Sequence, residues 1–248
     1  RLILQTDDPH LHHLPWQGWQ FLVDYPLAEV ALSQPQFYRL KEITPQKKRQ
    51  QVRILAILGS SQGIDLTAEQ QQLSEIPDAE VQFLTQPSRQ EFDTALWDDQ
   101  GWDILFFAGH SQTEQQTGRL YLHDGPEHRS LTLEHLQEGL RTALERGLQL
   151  AIFNSCDGLG LANSLGNLQI PVTIVMREPV PNRVAQDFFQ RFLEGYAIAQ
   201  LPLYQAVKQA RRQLQGLEND YPGAAWLPII CQNSALLPPT WLQLGGLP

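Results

Sequence analysis

This sequence of 248 residues has few cysteines, no long apolar run and no surplus of basic residues. Its two cysteines, Cys156 and Cys231, are too few for a disulfide framework and are typical of a reducing compartment. No apolar stretch approaches the ~18 residues that a membrane-spanning helix needs. The 27 acidic residues exceed the 18 basic ones, so a general nucleic-acid partner is disfavoured, because phosphate binding depends on clustered lysine and arginine. We therefore expect a cytoplasmic segment that contacts neither membrane nor nucleic acid.

From residue 52 onward, short apolar runs alternate with helical patterns. Six buried strands are predicted at Val52–Leu58, Val81–Leu84, Asp103–Ala108, Leu150–Asn154, Val172–Met176 and Trp226–Cys231. Pairs of polar residues predict helix starts with capping boxes at Thr67 and at Ser88. Strands that alternate with helices indicate an α/β fold with a mostly parallel, six-stranded sheet covered by helices on both faces.

The two ends of the chain differ from this regular middle. Residues 1–50 are predicted to be a small N-terminal extension, with short strands near Leu2–Thr6 and Glu29–Ser33 and a polar loop after residue 35. Residues 51–238 form the predicted core, and residues 239–248 a C-terminal tail. Because the chain starts at Arg1 and already shows a strand pattern there, we expect it to be a fragment of a longer protein.

Two strands of the predicted core end in chemically reactive side chains. Asp103–Ser111 reads DILFFAGHS and Leu148–Gly158 reads LQLAIFNSCDG, so His110 and Cys156 each follow an apolar run. Parallel strands place their carboxyl ends at one edge of a sheet, where open α/β sheets carry their sites. An imidazole beside a thiol raises its thiolate fraction. Cys156 is therefore a candidate nucleophile with His110 as its base, whereas Cys231, inside the run LPIIC, is interpreted as a core residue.

Other arrangements of these residues are also considered. Gly109-His110-Ser111 resembles the start of a nucleophile elbow with Ser111 as the nucleophile, but Thr113 replaces the final glycine and no histidine follows His135. The loop 59–63 could cradle a phosphate, although a strand-to-helix turn fits it better. The cluster DDPHLHH at 7–13 lacks a closed ligand set, so no metal site is predicted.

Several motifs in order give the chain a resemblance to a known family. They are FFAGHS, then NSCDG, IPVTIVMREPV, LYQAVKQAR and AAWLPII, with ILAILGSSQGIDL and the LQTDD, LPWQGW and VALS stretches before them. Together they resemble a CHAT domain, a branch of the caspase-like cysteine peptidases often found in bacterial, especially cyanobacterial, multidomain proteins. The resemblance implies a caspase-hemoglobinase fold and an endopeptidase whose His–Cys dyad is carried here by His110 and Cys156, with no cofactor.

The resemblance also implies an oxyanion hole, and here the sequence departs from the family. The family commonly has glycine after the histidine, where this chain has Ser111; the backbone N–H groups of Ser111 and Cys156 remain the predicted donors.

For substrate binding, Asp157 would favour a basic P1 residue and Arg177 an acidic one, and we favour Asp157. The expected partners are a protein or peptide substrate and an upstream regulatory domain. A catalytically silent signalling or scaffold module of the same fold is the main alternative.

Overall fold

The computed structural model describes residues 1–35, 51–114, 117–123, 130–155 and 158–246. Strands in these ranges are β1 (Leu2–Gln5), β2 (Val30–Ser33), β3 (Val52–Leu58), β4 (Ala79–Thr85), β5 (Ile104–Gly109), β6 (Ser111–Glu114), β7 (Thr117–Tyr121), β8 (Ser130–Thr132), β9 (Leu150–Ser155), β10 (Val172–Met176) and β11 (Pro228–Gln232). Helices there are α1 (Pro9–His13), α2 (Gln20–Asp24), α3 (Thr67–Ser74), α4 (Arg89–Leu96), α5 (Gln137–Glu145), α6 (Leu159–Asn167), α7 (Asn182–Leu193), α8 (Leu203–Gln213) and α9 (Trp241–Leu244).

Eight of the described strands form one sheet in the order β1-β2-β11-β10-β9-β5-β3-β4, and β6, β7 and β8 form a second, small sheet. Every neighbouring pair in the large sheet is parallel except β10 with β11. The prediction of a mostly parallel α/β sheet is confirmed. The count of six strands was too low, because β1 and β2 of the N-terminal region pair onto β11 and extend the same sheet. Most of the loop expected after residue 35 lies outside the described residues.

Apolar side chains on both faces of the sheet are buried, as expected for strands covered on two sides. On β5 the side chains alternate: Phe106 stacks on Phe189 of α7 with ring centroids 4.4 Å apart, whereas Phe107 lies on the other face, 6.0 Å from Phe153. Helices α3, α7 and α8 cover the face of Phe106, and α4, α5, α6 and the small sheet cover the face of Phe107. This two-sided burial holds the central strand ends in fixed positions.

Of the two capping boxes predicted at helix starts, the structure contains one. Ser88 forms the predicted capping box with Glu91 at the start of α4. The box predicted at Thr67 is absent, because Thr67 is the first residue of α3 and its N–H donates to Asp65 Oδ1 at 2.9 Å. Helix α6 was not predicted: it is glycine-containing and buried on most of its surface, so it has no polar face to mark its period.

The chain termini contribute to the core. Residues 239–248 were expected to be a tail, but Trp241 of α9 is buried and packs edge-on against Tyr196 with ring centroids 5.8 Å apart. At the other end, the carboxylate of Glu29, just before β2, is buried and accepts a hydrogen bond from the guanidinium of Arg211 on α8. The N-terminal region is therefore tied to the core by strand pairing and by a buried ion pair.

The ion pair between Glu29 and Arg211 predicts a large loss of stability when its carboxylate is removed. Glu29→Gln leaves the buried guanidinium without its counter-charge, and we expect the free energy of unfolding to fall by about 3 kcal/mol. Glu138→Gln is the matched control, because the Glu138–Arg141 pair is exposed and is worth about 0.5 kcal/mol or less. Urea unfolding of both variants measures the difference; similar losses would show that Glu29 is not an integral part of the core.

Candidate active site

The centre of the candidate site is the paired end of β5 and β9. The two strands are parallel and in register, with Gly109 opposite Ser155, and neighbouring strands lie about 4.8 Å apart. His110 follows Gly109 directly. Cys156 follows Ser155 in the sequence, but Cys156 and Asp157 lie outside the described residues. The residues that precede the two predicted catalytic side chains are thus direct neighbours at one edge of the sheet.

The imidazole of His110 is oriented by the loop between β3 and α3. Its Nε2 lies 2.8 Å from the backbone carbonyl oxygen of Gln62. A carbonyl oxygen can only accept, so Nε2 carries the proton, and in the neutral ring Nδ1 is the free basic nitrogen. The backbone of His110 is held as well, by its N–H to the Ser60 carbonyl and by its carbonyl to the Tyr121 N–H.

This orienting group could not be found from the sequence, which offered no third catalytic residue. The group is a backbone carbonyl, and any residue at position 62 would supply one. The loop 59–63 thus makes the strand-to-helix connection predicted for it, and it also fixes the tautomer of His110.

Ser111 is buried beneath the same edge. Its hydroxyl donates to the hydroxyl of Ser155 across the β5–β9 end, at 2.8 Å, and both serines are buried. A nucleophilic serine needs a hydroxyl that reaches both a base and the substrate. The Ser111 hydroxyl instead joins two strand ends, and the described geometry gives no support to the nucleophile-elbow interpretation.

A polar network lies under β9 on the opposite face. Glu69 of α3 is fully buried and accepts hydrogen bonds from Asn154 at 3.1 Å and from Gln186 of α7 at 3.0 Å. Burial raises the pKa of the Glu69 carboxyl, and the two amide donors offset only part of that rise. Asn154 precedes Cys156 by two positions, so this network joins α3, α7 and the end of β9. No sequence pattern distinguishes Glu69 from the other polar residues of this helix, so its role could not be predicted.

The small sheet packs closely against the start of α6. A Cβ on Gly118 of β7 would lie 2.3 Å from the backbone nitrogen of Leu161, so only glycine permits this approach. Gly160 donates its N–H to Thr113 Oγ1 at 3.2 Å. The hairpin that follows His110 and the helix that follows residues 156–157 are therefore in direct contact.

The guanidinium of Arg177 is buried rather than presented at the surface. Arg177 follows β10, is 3% exposed and donates to the side-chain oxygen of Gln17. Burial, together with the positive charge of Arg211, lowers its pKa to about 10. This placement does not favour direct contact with a substrate, so the role predicted for Arg177 receives no support from the geometry.

The acidic and histidine-rich segment at 7–13 forms a helix start. Asp8 caps α1 by accepting the N–H of His10 at 2.8 Å, and His12 Nε2 bonds the carbonyl of Thr6 at 2.9 Å. In the part of the chain that the structure describes, no three histidine, cysteine or acidic side chains come together as a metal site. None of the described helices has the length and apolar character needed to cross a bilayer.

Comparisons with known proteins agree with this architecture. A sequence model of the family described as CHAT domain matches residues 1–234. Two crystal structures of the Saccharomyces cerevisiae separase–securin complex align with TM-scores of 0.55 and 0.54, at 14% and 15% identity, over 90% and 91% of this chain. The Arg-specific cysteine proteinase gingipain R aligns with a TM-score of 0.51, at 12% identity, over 86% of this chain. Among curated proteins, none matches the chain.

The alignments cover only part of the larger proteins. This chain spans 15% of the length of each separase chain and 56% of the gingipain chain. At such low identity the similarity shows the fold, and it confirms the predicted caspase-like α/β architecture.

The raised pKa of Glu69 predicts a pH-dependent stability. The folded state binds this proton more tightly than the unfolded chain, so the free energy of unfolding falls as pH rises from the ordinary glutamate pKa of ~4.3 toward the raised value. Glu69→Gln removes this fall. The free energy of unfolding of the variant should therefore rise relative to that of the wild type as pH increases through this range.

Urea unfolding over a pH series measures the effect of Glu69→Gln. Glu91→Gln is the control with the opposite sign, because hydrogen bonds from Ser88 lower the pKa of the Glu91 carboxyl. Parallel pH profiles for wild type and Glu69→Gln would contradict the assignment.

The backbone before His110 predicts a second effect on stability. The backbone of Gly109 has φ +144°, a conformation that residues with a side chain rarely adopt. A Cβ at this position would also lie 3.1 Å from the Ser60 carbonyl oxygen. Gly109→Ala should cost about 1–3 kcal/mol in the free energy of unfolding. Gly216→Ala, where a Cβ meets only open space, is the matched control and should be neutral. A neutral Gly109→Ala would show that the strand end can relax.

Proposed function

Because the chain belongs to the CHAT domain family, we propose that it is a cysteine endopeptidase in which His110 and Cys156 form the catalytic dyad. The observation that carries the proposal is the register of β5 and β9, which sets the residues before His110 and Cys156 side by side. The bond from His110 Nε2 to the Gln62 carbonyl adds support, because it leaves Nδ1 free to act as the base. Serine at position 111, in place of the family's usual glycine, is a reason to test the catalytically silent alternative.

The proposed reaction follows the chemistry of these two groups. The Cys156 thiol transfers its proton to Nδ1 of His110, and the thiolate attacks the peptide carbonyl carbon. The resulting oxyanion lies against backbone N–H groups near the dyad, for which Ser111 and Cys156 remain the predicted donors. The tetrahedral intermediate collapses as the imidazolium gives its proton to the leaving amine. Water, deprotonated by the same imidazole, then hydrolyses the thioester and releases the thiol.

Substrate preference and control are further parts of the proposal. Asp157 is adjacent to the proposed nucleophile and would favour a basic P1 residue, which fits a chain of net charge −9. The similar separase structures are complexes with the protein securin. We propose that this chain is controlled by a protein partner or by an upstream domain of a longer, cytoplasmic signalling protein.

Reaction with a peptidyl acyloxymethyl ketone, followed by intact-mass measurement, tests the dyad. Wild type should gain one label, Cys156→Ala none, and Cys231→Ala should label like wild type, because burial raises the pKa of the Cys231 thiol to about 12. His110→Ala should slow labelling by about 10²–10⁴, the usual contribution of a general base.

A peptide-library digest compared with Cys156→Ala then reports the cleavage sites and the P1 residue. If Ser111→Ala abolishes turnover while Cys156→Ala retains it, the serine mechanism replaces the proposal. If no label is incorporated under any activating condition, including limited proteolysis, the catalytically silent module replaces the proposal.

A further inference from the structure

A cavity of about 300 Å³ lies apart from His110, between α2, α8 and the turn before β11. One side carries three cationic side chains, Lys208, Arg211 and Arg212, and another is formed by Leu22, Val23 and Trp226. The cavity is at the edge of the sheet where β10 ends and β11 begins, since the 224–226 turn leads into β11. It therefore shares an edge with His110, with β9 and β10 between β5 and β11.

The cations come together because of their spacing on α8. Positions 208, 211 and 212 are three and four residues apart and share one face of a helix. The Lys208 ammonium donates to the carbonyl oxygens of Leu22 at 3.1 Å and Ala28 at 2.7 Å, and Arg212 is exposed. Hydrogen bonds hold the charges of Lys208 and Arg211 in place, although the protein as a whole is acidic.

The buried part of this region has more positive than negative charge. Arg177 and Arg211 are 3% and 6% exposed, and Glu29 is paired with Arg211, whereas Arg177 bonds the neutral amide of Gln17. Among the described residues, the Nε atoms of both arginines have no hydrogen-bond partner. Burial and the nearness of Arg211 lower the pKa of Arg177, as expected where like charges crowd. Arg177 does not itself line the cavity, but none of the described residues that do is acidic, so an anion in the cavity would meet only the positive charges of Lys208, Arg211 and Arg212.

The rim of the cavity is apolar and exposed. Of the lining residues, Val23 is 68% exposed and Trp226 is 47% exposed. Leu27, which follows the lining residue Pro26 in the sequence, is 78% exposed. Adjacent exposed apolar side chains of this kind are typical of interaction sites. A free inorganic anion would leave these side chains in water, and a polyanion such as nucleic acid would be repelled by the net charge of −9. The surroundings instead fit a ligand that carries one or two carboxylates beside apolar groups.

We propose that this cavity binds an acidic peptide segment of another protein. An aspartate or glutamate carboxylate of the segment pairs with Arg212 and approaches Arg211, and a neighbouring apolar side chain packs on Val23 and Trp226. Binding of this segment requires no peptidase activity. If the chain is a functioning peptidase, as proposed above, this site would hold the bound protein on the edge of the sheet that carries His110, with β9 and β10 between them.

Selection from a phage-displayed library of random peptides tests the site, with the 248-residue chain carrying Cys156→Ala so that bound peptides stay intact. We expect enrichment of sequences that place aspartate or glutamate next to leucine, phenylalanine or tryptophan. The selection is repeated with Arg212→Glu, which should abolish the enrichment. Arg141→Glu, an equal charge change at an exposed position of α5, should preserve it.

Fluorescence anisotropy of a labelled selected peptide then gives affinities. Arg212→Glu and Trp226→Ala should each raise the Kd by about tenfold or more, as for central contacts of an interface. Added salt should also weaken binding. The proposal fails if no acidic sequences are enriched, if Arg212→Glu and Arg141→Glu behave alike, or if the peptide binds equally well with its acidic residues changed to amides. Displacement of the peptide by inorganic phosphate alone would instead indicate a simple anion site.

Discussion

The structure depends on the parallel pairing of β5 with β9. Six consecutive residue pairs, from Ile104 opposite Leu150 to Gly109 opposite Ser155, set the two strands in one register. Because side chains alternate along a strand, a slip of one residue would turn Phe106 and Phe107 to the wrong faces and break both halves of the core. The packing that stabilises the fold is therefore the same constraint that places Gly109 and Ser155, the residues before His110 and Cys156, opposite each other.

Hydrogen bonds from neighbouring segments position the ends of this strand pair and the imidazole of His110. The Gln62 carbonyl orients the imidazole of His110, the serine hydroxyls of Ser111 and Ser155 join the strand ends, and the buried carboxyl of Glu69 links the end of β9 to two helices. In the caspase-like fold of this chain, these contacts surround the candidate site. Separase and gingipain R share this fold with the chain at 15% identity or less, which shows how little of the sequence the architecture requires.

The reversal of direction at β11 organises the other half of the sheet edge. Since β11 runs opposite to β10, the start of β11 and the residue before β2 lie at the edge where β10 ends. This brings Glu29, Arg177 and Arg211 together from three distant parts of the chain. The excess of positive charge in the proposed peptide site is thus a result of topology, since the sequence as a whole is acidic.

Sequence patterns were enough to predict the strands with strong apolar runs, with β3 and β10 correct to the residue. They also predicted the capped start of α4 and the positions of His110 and Cys156 after two buried strands. The sequence could not show that β1 and β2 complete the sheet, because strand partners are distant in the chain. Nor could it show that α6 is a helix, because a helix buried on most sides lacks the polar face that would reveal its periodicity. The tautomer of His110, the burial of Arg177 and the network of Glu69 became evident only in the folded structure. These properties depend on backbone groups and desolvation that arise only when distant segments pack together.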